Sequence, residues 1–318
     1  MPERIVRAVS QGDFFAVAVL PLSDDSARNL NFFHYTNGRF LDELGNEFIV
    51  EPFDHRRKNT LEEVTQTEHI QLVNEGVNAI QQGQFKKVVL SRIKKVERAS
   101  REVIPTWDNL IKAYPQAFVY LLNHPVWGMW MGATPERLVV YAQSKWHTVS
   151  LAGTQVNTGE ELTWGEKENR EQAVVTEFIV EELMAAGARY IEEEGPYTFA
   201  AGPVAHLKTD IRFNGDFTLE SILHALHPTP AVCGMPRKEA MQFIFEHEKH
   251  DRMLYSGPIG IRSPLGLHRV FVNLRCMRVT DSQFQLFVGG GIMHNSNASA
   301  EWEETENKAK TLLSQLAG

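Results

Sequence analysis

The sequence predicts an α+β fold in which helices pack outside a large, mainly antiparallel β-sheet core. Segments rich in β-branched and aromatic residues outnumber those with helical periodicity. Their order is also not the regular strand–helix alternation of a parallel sheet. Because no repeat, low-complexity tract or Pro/Gly/Ser-rich linker divides the chain, we expect residues 1–318 to form a single domain.

The individual elements follow from local composition and spacing. β-Branched and aromatic residues predict strands at 14–20, 87–93, 118–122, 137–141, 148–151, 201–213, 270–279 and 284–289. Apolar residues at helical spacing predict helices at 61–82, 164–186, 218–226, 237–247 and 300–316. We expect the 270–279 segment to run as one continuous strand.

Composition and charge exclude several classes of protein. With 43% apolar residues the chain buries a core and is not mainly disordered. The net charge of −8, without a long basic run, argues against a nucleic-acid-binding role. We find neither an apolar signal segment at the N-terminus nor about 18 consecutive apolar residues, so no membrane partner is expected. Two distant cysteines cannot form a disulfide framework. We therefore expect a soluble cytoplasmic protein.

Two predicted helices carry pairs of glutamates at i and i+3. In the last helix, Glu301 and Glu304 share a face with Lys308, next to the apolar stripe. In the 164–186 helix, Glu168 and Glu171 lead into an apolar stripe. These carboxylates are either solvated charges favoured near helix N-termini or ligands of a cation. Four carboxylates without histidine suit Mg²⁺ better than zinc.

Other segments leave two interpretations open. Lys87 shares a strand face with Val89 and Ser91. It is either a general base or an edge-strand lysine whose aliphatic stem lies along apolar surface. Arg275, within an apolar strand, is a salt-bridge partner or an anion clamp. The glycines at 289–291 allow close backbone approach to an anion, and the HEKH stretch at 247–250 is interpreted as a polar helix end.

Taken together, these segments resemble the chorismate-utilising enzymes, the family of isochorismate, salicylate, anthranilate and aminodeoxychorismate synthases. The matching stretches are KKVVLSR (86–92), GATPERL (132–138), LAGT (151–154), KENRE (167–171), HLKTD (206–210), HPTPAVCG (227–234), YSGPIG (255–260), NLRC (273–276), GGGI (289–292) and ETENK (304–308). The resemblance runs in order from about residue 60 to the end, whereas residues 1–60 are less diagnostic.

Within the family, the resemblance is greatest to the members that form isochorismate. HPTPAVCG, followed by Met235 and Pro236, stands where the ammonia-using synthases usually carry a TGAPK-type sequence. Lys87 matches the lysine of the water-activating members. The resemblance therefore implies isomerisation of chorismate, with water added at C2 and the C4 hydroxyl lost. No glutaminase partner is implied, and a monomer suffices.

The resemblance also implies roles for individual residues. Lys87 would take a proton from the attacking water, and Glu136 would protonate the leaving hydroxyl. Mg²⁺ would bind the ring carboxylate, held by Glu171 and Glu304 with Glu168 and Glu301 close by. The implied substrate-binding residues are Tyr255, Arg275, Lys308, Gly289, Gly290 and Gly291 at the enolpyruvyl carboxylate, His206 near the ring carboxylate and Ala231 near C4.

Three alternatives stay open at this point. A salicylate synthase resembles the chain in base, acid and metal ligands and goes on to eliminate pyruvate. An ammonia-using synthase is disfavoured by Lys87. A non-catalytic chorismate-binding paralogue would keep the fold, but every matched acid, base and metal position is filled. The resemblance does not choose between menaquinone and siderophore synthesis, both of which use isochorismate.

Overall fold

The computed structural model describes residues 2–22, 29–54, 56, 58, 60–157, 159, 162–201 and 204–317. The helices in these ranges are α1 Pro2–Gln11, α2 Gln66–Gln81, α3 Val103–Ala113, α4 Glu166–Ala185, α5 Leu219–Leu226, α6 Arg237–His247 and α7 Ala298–Leu313. The strands are β1 Phe15–Val19, β2 Leu30–Thr36, β3 Arg39–Leu41, β4 Glu47–Val50, β5 Lys87–Glu97, β6 Phe118–His124, β7 Gly128–Thr134, β8 Arg137–Ala142, β9 Lys145–Val156, β10 Arg189–Ala201, β11 Val204–Asn214, β12 Gly234–Met235, β13 Pro258–Arg262, β14 His268–Val272, β15 Cys276–Val279 and β16 Gln283–Ile292.

The predicted α+β class is confirmed, and the contacts group the chain into two compact units. Unit 1 comprises Met1–Glu136, Pro228–Ile261 and Phe271–Gly318, and unit 2 comprises Arg137–His227 and Arg262–Val270. The single domain expected from the sequence stays a prediction. In the described ranges, no helix combines the length and apolar character needed to cross a membrane.

Unit 1 contains an antiparallel sheet in the order β4-β3-β2-β1-β6-β7-β15-β16-β5-β12. Alternate residues of its strands point to opposite faces. On one face, Val17 and Leu121 join a core cluster that α1, α3 and α7 cover. On the other, Ala18 and Tyr120 join a cluster rich in phenylalanine. The central strands are therefore buried on both sides, which explains their nearly continuous apolar runs.

The strand β5 lies between β16 and the short β12, and this register places the glycines. Gly289 stands opposite Ser91, and Gly291 stands opposite Val89. On the other edge, Met235 pairs with Lys87. The triglycine segment therefore runs beside the residues that follow Lys87.

Unit 2 contains the antiparallel strands β10-β11-β9-β8, with α4 packed on β9 and β11. The buried line of α4 is Gln172, Thr176, Ile179 and Leu183. Glu168 and Glu171 are half-buried beside this line. The expected stripe through the two glutamates is therefore wrong by about one position, because Gln172 enters the core to bond Ser150 and Thr209.

The prediction of one strand at 270–279 is also wrong, since β14 and β15 are separated by residues 273–275. Asn273 exchanges backbone hydrogen bonds with residues 256 and 257, and Leu274 donates to the carbonyl of Val272 at 2.8 Å. Arg275 has a positive φ of 47°. The backbone groups that a continuous strand would pair are used in this turn.

The remaining element predictions differ mainly at their ends. The helix predicted from residue 61 begins at Gln66, where the Thr65 and Glu68 side chains form a capping box. The 201–213 strand is confirmed from Val204, while residues 202 and 203 lie outside the described residues. Elements that local patterns did not predict are α1, α3, β2, β3, β4, β7, β10, β12 and β13.

A buried ion pair closes the edge of β5 beyond β12. The Glu248 carboxylate accepts from the Ser91 N–H at 2.7 Å and from Arg252 Nη2 at 2.6 Å. Arg252 also donates to the carbonyls of Val89 and Val232, at 2.7 and 2.8 Å. The polar helix end interpreted at 247–250 does end α6, but Glu248 within it is only 2% exposed.

The first prediction concerns this pair. Glu248→Ala leaves the Arg252 guanidinium buried without its counter-charge, so we expect the free energy of unfolding to fall by about 3–5 kcal/mol. Urea denaturation measures the loss. Glu246→Ala, at an exposed position of the same helix, is the control and should change stability by less than about 0.5 kcal/mol. Equal effects of the two substitutions would show that the pair does not hold β5.

Candidate active site

Lys87 begins β5, and its side chain passes over the triglycine strand. A Cβ on Gly291 would lie 3.1 Å from Lys87 Cε and 3.8 Å from its Nζ. On the other edge, Gly234 has a φ of +140°, and a Cβ there would lie 2.2 Å from the Lys87 carbonyl oxygen. Gly234 must therefore be glycine, whereas a side chain at residue 291 would displace the Lys87 side chain from this position.

Glu136 lies in the short link between β7 and β8, where its backbone carbonyl accepts from the Val272 N–H at 2.8 Å. Burial of the carboxyl raises its pKa to about 7, although Lys87, Lys308 and Arg275 act in the opposite direction. The residue keeps some solvent exposure. Near neutral pH this carboxyl can therefore hold or release a proton, and three predicted site cations are close enough to affect it.

Tyr255, Gly289 and Lys308 also lie together in unit 1. A Cβ on Gly289 would lie 2.9 Å from the Tyr255 hydroxyl oxygen, and the Gly289 carbonyl accepts from Lys308 Nζ at 2.8 Å. Burial raises the pKa of Tyr255 to about 12, so the phenol remains neutral. Arg275 donates to the backbone carbonyl of Lys308 at 3.3 Å. Ala231 lies on an exposed part of the segment that leads into β12.

The two glutamates of α7 face the middle glycine of the triglycine strand. A Cβ on Gly290 would lie 3.2 Å from Glu301 Oε2 and 3.8 Å from Glu304 Oε1. Ser296 donates to Glu301 Oε1 at 2.7 Å, whereas the buried Oε2 has no hydrogen-bond partner. Lys308 Nζ lies 2.5 Å from Glu304 Oε1. Burial, followed by the neighbouring Glu304, raises the pKa of Glu301.

These carboxylates fit a hard cation. The unpartnered buried oxygen of Glu301 is an oxygen donor of the kind that Mg²⁺ takes, and Gly290 leaves room beside it. Among the residues that the structure describes, no three His, Cys, Asp or Glu side chains converge on one point. Unit 1 therefore offers two carboxylates and not a complete protein cage, and Mg²⁺ commonly keeps several waters.

Unit 2 holds the other predicted ligands. Glu168 and Glu171 lie in the first two turns of α4. A Cβ on Gly153, whose φ is +66°, would lie 3.2 Å from the Glu168 Cβ. The His206 Nδ1 lies 3.1 Å from the carbonyl oxygen of Gly153. The structure thus brings both Glu168 and His206 close to Gly153.

Sequence reasoning missed the residues that anchor α7 to β5. Arg92 is 1% exposed, with its guanidinium 3.8 Å from the Trp302 ring centroid. It donates to Thr305 Oγ1 at 2.8 Å and forms an ion pair with Glu306. Arg92 directly before Ile93, in the part of β5 that is rich in apolar residues, was the available signal, but its partners are more than 200 residues away in the sequence.

Comparison with known proteins identifies the chain's relatives. A family model described as "Chorismate binding enzyme" matches residues 14–317. Isochorismate synthase EntC of Escherichia coli K12 is 29% identical over 242 residues, which cover 72% of this chain and 62% of that protein. Isochorismate synthase MenF of Bacillus subtilis is 26% identical over 332 residues, with coverages of 97% and 70%. The chain thus spans less than two thirds of the first of these relatives.

Solved structures share the fold. The menaquinone-specific isochorismate synthase MenF from Escherichia coli superposes with a TM-score of 0.74 at 24% identity, covering 99% of this chain and 82% of that one. Anthranilate synthase component I from Streptococcus pneumoniae gives a TM-score of 0.71 at 22% identity, with coverages of 83% and 59%. At these identities the likeness concerns architecture, which proteins of different named activities share.

The second prediction concerns the Glu136 carboxyl. We expect it to titrate near pH 7, and Lys87→Met should raise its pKa further, because a neighbouring cation favours the carboxylate. Carboxyl-carbon NMR of labelled protein measures both values, with Glu136→Gln identifying the resonance. A Glu136 pKa near 4.5 that does not respond to Lys87→Met would show that the two groups do not interact.

Proposed function

The chain belongs to the family of chorismate binding enzymes, and we propose that it converts chorismate into isochorismate. The observation that carries this proposal is a buried Glu136 carboxyl whose pKa is raised to about 7, with Lys87 near enough to act on that pKa in the opposite direction. The reaction needs a base for the attacking water and an acid for the leaving hydroxyl. Relatives named isochorismate synthase support the same activity.

In the proposed mechanism, the neutral Lys87 amine accepts a proton from water as that water attacks C2 of the ring. The protonated Glu136 carboxyl donates to the oxygen leaving C4, and the ring double bonds shift between the two carbons. One water is added and one is lost, so the net change is an isomerisation. A pKa near 7 suits this acid because both of its protonation states are populated at neutral pH.

The anionic substrate requires local cations, since the protein carries a net charge of −8. We assign the enolpyruvyl carboxylate to Arg275, Tyr255 and the glycine strand. A guanidinium holds a carboxylate through two parallel hydrogen bonds, and a neutral phenol donates one more. Lys308, which bonds the Gly289 carbonyl, adds positive charge beside that strand.

We further propose that the α7 carboxylates Glu301 and Glu304 hold Mg²⁺ in unit 1. The ligand and substrate-binding roles that the resemblance implies for Glu168, Glu171 and His206 of unit 2 stay predictions. When bound, Mg²⁺ supplies charge neutralisation for the ring carboxylate. The unpartnered Oε2 of Glu301 supports this assignment.

The third prediction tests the reaction itself. Incubation of the purified protein with chorismate and Mg²⁺ should give isochorismate, with chorismate remaining at equilibrium and no pyruvate formed. Chromatography of the products measures this, and a sample with EDTA should show no conversion. Salicylate with pyruvate would instead identify a salicylate synthase. Chorismate binding without turnover would identify a non-catalytic paralogue.

The fourth prediction separates the base from the acid. Lys87→Ala should reduce kcat by at least about 100-fold, in the range expected for a general base. Lys86→Ala, the exposed neighbour, should leave kcat unchanged. In the unsubstituted enzyme, kcat/KM should fall as pH rises above about 7, because the free Glu136 acid then loses its proton. Normal turnover by Lys87→Ala would remove Lys87 from the mechanism.

A further inference from the structure

Asn273 joins the two segments that carry Tyr255 and Arg275. We propose that it is a positioning residue, which with Tyr120 holds these segments in the conformation that binds the substrate's enolpyruvyl carboxylate. The inference rests on the proposed function, which places Tyr255 and Arg275 at that carboxylate. Asn273 itself is fully buried and is not proposed to contact the substrate.

Four hydrogen bonds connect Asn273 to Tyr120 and to residues 254–257. Its Nδ2 donates to the Leu254 carbonyl at 2.9 Å, and its Oδ1 accepts from the Tyr120 hydroxyl at 2.8 Å. Its backbone N–H donates to the Gly257 carbonyl, and its carbonyl accepts from the Ser256 N–H, both at 2.8 Å. Both sides of Tyr255 are therefore tied to the turn that precedes Arg275.

The backbone of both segments is strained, and this strain requires such support. Met253, Ser256 and Arg275 have positive φ values of 50°, 65° and 47°. Non-glycine residues in this region are energetically unfavourable and persist only where the surrounding structure determines them strongly. Two of the three strained residues flank Tyr255, and the third is Arg275 itself. Asn273 lies two residues before Arg275 and bonds residues 254, 256 and 257, so its hydrogen bonds connect the two strained segments.

Tyr120 reaches Asn273 because its partner across the sheet is a glycine. Gly132 stands opposite Tyr120 on β7, and a Cβ there would lie 2.9 Å from Tyr120 Cε1 and 3.1 Å from the Arg275 carbonyl oxygen. Burial raises the pKa of Tyr120, so its hydroxyl stays protonated and donates. The Arg275 carbonyl in turn accepts from the Ala133 N–H at 3.1 Å.

Asparagine suits this position because it offers a donor and an acceptor in one short side chain. A leucine of similar volume offers neither, and would leave the Leu254 carbonyl and the Tyr120 hydroxyl without this partner. Tyr120→Phe is the gentler change, since it removes one hydroxyl and leaves the ring in place.

The fifth prediction compares Tyr120→Phe and Asn273→Leu with Tyr35→Phe, which also loses a phenol hydroxyl but lies outside the site. We expect the KM for chorismate to rise about fivefold in Tyr120→Phe and at least tenfold in Asn273→Leu, with kcat changed by less than about twofold, because one lost hydrogen bond is worth about 1 kcal/mol. Tyr35→Phe should behave as the unsubstituted enzyme. Unchanged KM in both site variants would overturn the proposal.

A double-mutant cycle distinguishes positioning from a general structural role. If Tyr120 and Asn273 act through Arg275 and Tyr255, Tyr120→Phe should add no further increase in KM in an Arg275→Ala/Tyr255→Phe background. The same fivefold increase in both backgrounds would contradict the proposal, because the effect would then pass through neither residue.

Hydrogen exchange provides a readout that does not depend on chorismate turnover. Peptides covering residues 253–257 and 272–276 should exchange faster in Tyr120→Phe than in Tyr35→Phe, while the rest of the chain is unchanged. Unchanged exchange in these peptides would overturn the positioning role. An unsubstituted enzyme without chorismate turnover would contradict the proposed function alone, and the exchange comparison would still decide whether Asn273 and Tyr120 order the two segments.

Discussion

The buried ion pair between Glu248 and Arg252 is the interaction on which the geometry of unit 1 depends most. The strand β5 carries Lys87 at its start, and its edge beyond β12 would otherwise present unpaired polar groups inside the protein. Glu248 accepts a hydrogen bond from the Ser91 N–H, and Arg252 donates to the Val89 and Val232 carbonyls. Two charged side chains thus supply the hydrogen bonds that a longer neighbouring strand would supply to β5. Each charge also neutralises the other.

Because β5 is held along this edge, its two faces can present different parts of the candidate site. On one face, Lys87 and Ser91 lie against the triglycine strand, with Tyr255 beside Gly289. On the other face, Arg92 stacks on Trp302 and bonds Thr305, which anchors α7. The helix then places its glutamates beside Gly290. A single strand, β5, therefore fixes the positions of the proposed base and of the proposed unit 1 Mg²⁺ ligands relative to one another.

Electrostatics at this site act against the charge of the whole chain. The net charge of −8 disfavours an anionic substrate, yet Lys87, Lys308 and Arg275 all act on the Glu136 carboxyl. Burial outweighs these cations and raises the pKa of Glu136 to about 7. A binding region for an anion and a carboxyl that holds a proton can therefore coexist, because desolvation and neighbouring charge shift that pKa in opposite directions.

Local patterns in the sequence were sufficient for the elements that carry the site. The β-branched residues of β5 and the apolar stripe of α7 predicted both elements, because strand composition and helix periodicity are properties of neighbouring residues. The i, i+3 spacing also placed Glu301 and Glu304 on one helix face. The ordered motifs, through their resemblance to a known family, were enough to indicate that family from the amino-acid sequence alone.

Only the tertiary structure decided the features that depend on distant partners. The turn at residues 273–275 breaks an apparently continuous strand, because Asn273 bonds a segment nearly twenty residues earlier in the chain. Glu248 is buried where it accepts a hydrogen bond from Ser91. The two residues are 157 positions apart, so no local pattern indicates this contact. The raised pKa of Glu136 likewise comes from burial, which no local pattern encodes. Periodicity determined which residues share a face of an element. Long-range packing and desolvation determined which of those residues are buried, what they bond and how they titrate.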